Sequence, residues 1–338
     1  MDSSFSRSCL VVLSYFLGLA STPVVAAVAE DAPLVAITLA EAEGDPDFAF
    51  QGEYVGAIML RGQERPAGAQ VVALGDGKFR TALYLMGLPG DGWDGQTIFP
   101  GEGERRENEV VIQGERGGGA NITADGMRIT TAAGAEIGRL KKVVRASPTL
   151  GTAPPDGAKV LFDGGDVDAF ESGARMTEDG LLMEGATSRE RFGDCQAHLE
   201  FLLPYMPKAT GQGRGNSGCY LQGRYEVQIL DSFGLSGKNN ECGGIYELSD
   251  PALNMCFPPL VWQTYDIDYT AAKFDDQGKK LSDARITVRH NGVVVQDDVA
   301  IERSTRAAPL MEGSDDGPLY LQNHKNPVRF RNIWVLPR

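Results

Sequence analysis

Basic residues are in deficit. Lys plus Arg number 32 against 46 Asp plus Glu, a formal net charge of −14 over 338 residues. Such a chain has no nonspecific electrostatic grip on phosphate backbones or anionic lipid, which excludes nucleic acid and membrane surfaces as general partners. Long apolar runs are missing too. The stretch Leu10 to Ala20 has 11 residues, where a membrane span needs about 20, and no later stretch approaches that length, so no transmembrane segment is expected. Histidine is scarce: His198, His290 and His324 are the only three, which leaves imidazole acid–base chemistry few candidates. The five cysteines include no C-x-x-C pair, which argues against a zinc site.

What is abundant is punctuation. The 42 Gly and 18 Pro disfavour helix bundles and coiled coils, while 42% hydrophobic and 23% charged residues are the proportions of a soluble globular protein. The length suits two ordinary domains. At the start, Arg7, the apolar run from Leu10 and the small-residue string Val25-Ala26-Ala27-Val28-Ala29 have the layout of a secretory signal. Cleavage is expected after Ala27 or Ala29, giving a secreted or periplasmic protein. No cysteine ends the apolar run, so a lipid anchor is not indicated. Removal of the leader (1–27) takes Cys9 with it. Cys195, Cys219, Cys242 and Cys256 then remain, enough for up to two disulfides in an oxidising compartment, with the connectivity open. A Cys242–Cys256 bridge would close a loop of about 15 residues, worth on the order of 3 kcal/mol.

From Phe48 onward short apolar runs such as Gln70–Leu74, Phe79–Leu85, Glu109–Ile112 and Met127–Thr130 are separated by Gly-Asp, Pro-Gly and Gly-Gly. This predicts strands joined by tight turns and almost no helix. Trp93, in a Gly- and Asp-rich stretch, reads as the cap of a small core. The Pro154-Pro155 pair marks residues 147–157 as an extended linker. The organisation expected is a small β-rich domain over 45–146 and a β-sandwich over 158–338.

The most informative stretch runs from Cys219 to Asp231. Read as one strand, it alternates Leu221, Tyr225, Val227 and Ile229 on one face with Tyr220, Gln222, Arg224, Glu226 and Gln228 on the other. The second row offers planar donors and acceptors for sugar hydroxyls and a ring to stack on them; the alternative is a plain exposed sheet face. Trp262–Tyr269 alternates in a similar way. His324 follows a strand into a polar loop, where binding side chains gather, whereas His290, before Asn291-Gly292, is expected in an exposed hairpin turn. His198 reads as structural. Asp163, Asp166 and Asp168 resemble an oxygen-rich calcium loop but lack its remaining pattern.

The block Gly215–Ser232, with Val160-Leu161-Phe162-Asp163-Gly164, Cys242–Tyr246, Trp262–Ile267, Gly317–His324 and Arg331–Trp334, resembles the 3-keto-disaccharide hydrolase family. The opening departs from the family pattern: Asp168-Ala169-Phe170 stands where a Gly-Trp ending is expected. The resemblance implies an all-β architecture, a concanavalin A-like jelly-roll sandwich with a saccharide-holding face, preceded here by the smaller β-rich domain. It further implies cleavage of glycosides whose sugar is oxidised at carbon 3. The ketone acidifies the hydrogen at carbon 2, so a carboxylate can remove it and the glycosidic group leaves by elimination, followed by water addition. In that scheme Glu226 is the base, Arg224 or a metal stabilises the enolate, and His324 or Asp231 protonates the leaving oxygen. Asn216, Tyr220, Gln222, Gln228 and Trp262 would bind sugar. No cofactor is required by the sequence; a divalent ion such as calcium stays open. The alternatives are a noncatalytic lectin-like module and a retaining glycosidase, which would need a second carboxylate about 5 Å from Glu226.

Overall fold

A computed structural model describes residues 33–338; the predicted leader, with Cys9, Ala27 and Ala29, lies outside them. Among the described residues helix is confined to one turn, α1 (Leu39–Ala42), and a 3-10 turn at Gly211–Gly213. No helix among them is long and apolar enough to cross a membrane.

Eight strands come first: β1 (Gly52–Leu60), β2 (Gln63–Gly75), β3 (Lys78–Leu85), β4 (Ile98–Arg106), β5 (Glu109–Gly114), β6 (Gly119–Thr123), β7 (Gly126–Thr130) and β8 (Glu136–Val143). Each pairs antiparallel with the next, and β8 returns to β1, closing a barrel. Alternation gives the barrel its inside. Tyr54, Ile58, Ala69, Val71, Phe79, Ile112, Ile122 and Ile129 join in one buried cluster, while polar residues alternate outward. Phe48 packs edge-on against Tyr205, with 5.0 Å between ring centroids. Trp93 packs edge-on against Tyr84 outside the barrel core, at 4.9 Å, the small-core role its sequence suggested.

The second set is β9 (Lys159–Phe162), β10 (Leu182–Met183), β11 (Ala186–Phe192), β12 (Cys195–Leu202), β13 (Ser217–Leu221), β14 (Tyr225–Ile229), β15 (Gln263–Thr270), β16 (Lys273–Phe274), β17 (Lys280–Ser282), β18 (Ala284–His290), β19 (Val293–Ile301), β20 (Gly317–Leu321) and β21 (Arg329–Pro337). A large sheet runs β10-β21-β12-β15-β18-β19 with β9 on β21, and a small sheet runs β11-β20-β13-β14; β16 and β17 pair apart. Leu199, Phe201, Tyr265, Ile267 and Val288 of the large sheet share one core with Cys219, Leu221, Val227, Ile229 and Leu321 of the small one. Burying each large apolar side chain contributes about 1.5–3 kcal/mol, so the two inner faces fix the sandwich. The four cysteines stand as buried free thiols, with Cys242 Sγ 3.1 Å from the Tyr265 hydroxyl.

Barrel and sandwich meet along β2. Val72 and Leu74, on the outer side of β2, pack with the sandwich core. The Arg214 guanidinium donates to Asp231 at 2.5 Å and to the Ala73 carbonyl at 3.3 Å, and Arg145 pairs with Glu53 while lying 4.8 Å over the Phe257 ring.

The segment 147–152 is not a free spacer. Ser147 and Thr149 hydroxyls bond to Thr264, Thr149 donates to Asp266, and the Gly151 amide donates to Glu200 at 2.5 Å. This lays the segment on the outer face of the large sheet, over His198, which is fully buried, bonded to Asp266 at 2.6 Å and stacked on Trp334. Burial alone would lower the His198 pKa, but the hydrogen bonds and charges of Asp266 and Glu200 outweigh it and the net shift is upward. Glu200, desolvated but bonded to His198, Asn332, Arg331 and the Gly151 amide, falls to about 2. His290 departs from its expected exposed turn: it ends β18 fully buried, with Nε2 2.9 Å from Gln263, and burial pushes its pKa down to about 3. The Asn291-Gly292 turn does form, but the ring at the strand end points inward.

A raised histidine pKa stabilises the fold fully below the unfolded value of 6.5 and loses that contribution as pH rises through the folded value. Melting temperatures of the wild type and His198→Gln, compared from pH 5.5 to 9, should differ most at the acid end and converge upward. A pH-independent gap would show that the imidazolium is not what fastens this segment.

Candidate functional site

Residues 219–231 form a hairpin instead of one strand. Gln222 and Gly223 both have positive φ, 53° and 62°, and the Arg224 amide returns to the Leu221 carbonyl at 3.0 Å. Two left-handed residues in succession turn the chain in the sense that matches strand twist. Tyr220 thereby faces Glu226 directly across β13–β14, and Gly218 faces Gln228. The next strand, β20, sets Tyr320 beside Tyr220, their ring centroids 5.4 Å apart.

Glu226 is 2% exposed. The Tyr220 hydroxyl donates to its Oε2 at 2.7 Å, and Gln322 Nε2 donates to the Tyr220 oxygen at 3.1 Å. Its other oxygen lies over Gly218, where an added Cβ would come within 2.0 Å of Oε1; only glycine leaves room for the carboxyl. No cation pairs with Glu226 among the described residues. Burial without a counter-charge pushes its pKa from 4.5 to about 8, with the Tyr220 hydrogen bond pulling partly back. Tyr246, half-buried on the loop whose amide bonds to the Glu226 carbonyl, has its own pKa raised by burial and by the charges of Glu247 and Glu226. The constellation is therefore a proton-holding carboxyl flanked by phenols and an amide. It can take up or release a proton near neutral pH.

The remaining sequence candidates divide sharply. Gln228 shares this face, but its amide donates to Asn216 and to the Ser217 and Ile229 carbonyls, and Asn216 donates in turn to Gln212. Both are buried and committed to the frame, a correction to their expected sugar contacts. Gln222 sits in the turn with its amide donating to the Phe192 carbonyl and its oxygen accepting from Tyr269, so it belongs to the core side. Arg224 holds the Met311 and Asp315 carbonyls at 2.7 Å each and makes no ion pair with Glu226; its guanidinium clamps a loop and is not poised over an enolate. Asp231 is buried and ion-paired to Arg214, which also reaches the Ala73 carbonyl, so its carboxylate is engaged away from Glu226's neighbours. Trp262 lies under Arg331, 3.9 Å from the ring centroid. Arg331 itself bonds Glu200 of the large sheet, so Trp262 stands across the core from Glu226. His324 is exposed in the loop two residues beyond Gln322 and makes no side-chain hydrogen bond among the described residues. Asp163 and Asp166 each cap a local turn through a backbone amide. Among the described residues no group of three or more His, Cys, Asp or Glu is arranged to hold an ion.

Residues that alternation along one strand missed are Gly218, Tyr246, Tyr320 and Gln322. Tyr320 and Gln322 carried a signal, since Tyr320-Leu321-Gln322 alternates as β20 does; Tyr246, on a loop, carried none.

The raised Glu226 pKa makes a stability statement. Below 4.5 the carboxyl is neutral folded or unfolded; between 4.5 and about 8 the unfolded chain gains by ionising and the fold does not. The resulting cost, on the order of 5 kcal/mol, is complete only above the folded value. Glu226→Gln should therefore gain thermal stability over wild type as pH is raised from 5 to 9, with little difference at pH 4.5 or below; equal stability throughout would mean that the carboxyl is solvated. Gly218→Ala should destabilise the wild type more than it destabilises Glu226→Ala, a coupling that urea denaturation in a double-mutant cycle would read.

No curated protein matches the chain. Among solved structures, a Parabacteroides distasonis ATCC 8503 protein described as a "putative glycosyl hydrolase" is 36% identical over 54% of this chain and 85% of its own, with a TM-score of 0.50. A second protein of the same description and organism is 18% identical over 54% of this chain and 94% of its own, with a TM-score of 0.41. The family profile described as the 3-keto-alpha-glucoside-1,2-lyase-like domain matches residues 157–336, more than half of the chain, and the chain belongs to that family.

Proposed function

We propose that this protein cleaves glycosides whose sugar carries a ketone at carbon 3, with Glu226 as the base that starts the reaction. The family gives the kind of enzyme, a hydrolase or lyase acting on glycosides; the 3-keto substrate and the residue roles are our reading. The observation that carries it is the buried Glu226 carboxyl, held by Tyr220 and lacking a cation, with its pKa near 8. A base of that strength suits a carbon acid better than an ordinary surface carboxylate does.

In the ionised form Glu226 takes the hydrogen from carbon 2, and the bonding pair moves into the enolate of the carbon-3 ketone. The enolate collapses to restore the ketone, forms the carbon 1–carbon 2 double bond and expels the glycosidic oxygen from carbon 1. His324, exposed beside Gln322, is our choice of donor to that oxygen. Water then adds at carbon 1, giving its released proton back to His324, while the proton on Glu226 returns to carbon 2. Gln322 and Tyr246 are the donors closest in kind to what the developing enolate oxygen needs. A retaining glycosidase is disfavoured, because among the described residues burial and Tyr220 bear on the ionisation of Glu226 and no second carboxylate does. The predicted leader supports action outside the cytoplasm. Residues 158–338 would carry the chemistry, with the barrel as its companion domain.

The test is release of free sugar from 3-keto-glucosides and from their unoxidised parents, with and without chelator. Only the oxidised substrates should be cleaved. The kcat/KM should rise with pH to a plateau above about 8, and Glu226→Gln should lower it by about 10²- to 10⁴-fold. Tyr220→Phe, which removes the bond that lowers the pKa, should move the inflection upward. Cleavage of the parents would replace this reading with ordinary glycoside hydrolysis. Saccharide binding without cleavage of either set would replace it with a lectin-like role, and loss of activity with chelator would add a metal.

A further inference from the structure

The β1–β8 barrel is filled at one end and hollow at the other. Tyr54, Phe79, Val110 and Ile122 occupy the filled part of its core. Toward the other end several inward positions are small, Ala69, Gly101 and Ala120 among them, and they border a cavity of about 310 Å³. Bulkier lining comes from Ile58, Leu83, Phe99, Ile112, Met127 and Ile129. Its charged lining residues are the adjacent Glu115 and Arg116, both exposed. Arg116 is held over the Phe99 ring, 5.3 Å from the centroid, and makes no ion pair among the described residues.

We propose that this cavity is a binding site for a single medium-length alkyl chain bearing a carboxylate, with the chain inside the barrel and the carboxylate on Arg116. Three properties carry it. An eight-stranded closed barrel is the size that either packs solid or holds one small ligand. The volume falls at the lower end of the about 300–1,000 Å³ of small-molecule sites, room for one flexible chain of about ten carbons. An apolar cavity of this kind gains little from water and forfeits the dispersion contacts an alkyl chain restores. The head group follows from Arg116, whose guanidinium is fixed at the rim by an aromatic ring that also lines the cavity, ready for a carboxylate to pair with. Glu115 is the competing rim charge and predicts the opposite preference, for an amine. This site is independent of the sugar chemistry on the small sheet.

Calorimetric titration of the full chain with decanoate, decanol and decylamine separates these outcomes. Decanoate should bind saturably at one site, about tenfold tighter than decanol, and Arg116→Ala should bring it to the decanol level without changing decanol. Ala120→Phe, which fills the cavity, should abolish both. Because that variant risks the fold, the methyl resonance of Met127 in the wild type gives a second reading and should shift on decanoate addition in step with the calorimetric saturation. Tightest binding of decylamine, or equal binding of all three, would overturn the carboxylate assignment. Absence of binding, or binding that leaves Met127 unmoved, would overturn the site.

Discussion

A carboxyl group buried without a cation is among the most expensive things a protein can keep, and the small sheet is organised around one. Glu226 sits opposite Tyr220 because the hairpin turn at Gln222-Gly223 brings them face to face, has room because position 218 lacks a side chain, and among the described residues receives the Tyr220 donor and no counter-charge. Tyr320 on the neighbouring strand and Gln322 just past its end buttress that donor. An arginine in reach would have stabilised the carboxylate and lowered its basicity. Arg224, two residues away, spends its hydrogen bonds on loop carbonyls instead.

The rest of the architecture keeps that hairpin still. One face of it is bolted to the core through Val227 and Ile229, its far end is held by Gln228 and Asn216, and Asp231 just beyond carries Arg214, whose guanidinium reaches the barrel. Residues that look like sugar ligands in the sequence are thus the scaffold of the carboxyl and not its partners. Asparagine, glutamine and arginine serve either purpose, and only the identity of their neighbours distinguishes the two.

Much of this was legible beforehand. Turn residues between short apolar runs specified an all-β chain, and the motif blocks specified the family of the second half. Alternation puts Glu226 on one face with Tyr220, and so does the hairpin, although the single strand from which alternation argues does not form. Hairpin pairing across the Gln222-Gly223 turn joins residues of equal parity, so continuous alternation and a hairpin assign Tyr220, Glu226 and Gln228 to the same side. The two models part only at Gln222 and Arg224, which lie in the turn. Gly223 was the warning. Trp262 and the inward His290 were beyond reach for a different reason: parity orders residues along a strand but does not say which sheet, or which end of it, their face belongs to. The barrel's closure depends on β8 meeting β1, a long-range pairing with no local signature, and segment 147–152 reads as a spacer because its partners, Thr264, Asp266 and Glu200, lie far along the chain.

The Arg214 bridge bears on how far the two halves can be treated apart. Asp231 belongs to the sandwich, yet the arginine it holds also donates to a barrel carbonyl, and Val72 and Leu74 of the barrel complete the sandwich core. The two halves share a wall. Separating the halves of this chain would uncover Val72, Leu74 and the sandwich surface they cover, and would cost Arg214 its bond to the Ala73 carbonyl while leaving its pair with Asp231. A substitution at that wall is therefore read by both halves at once, whichever of them carries it.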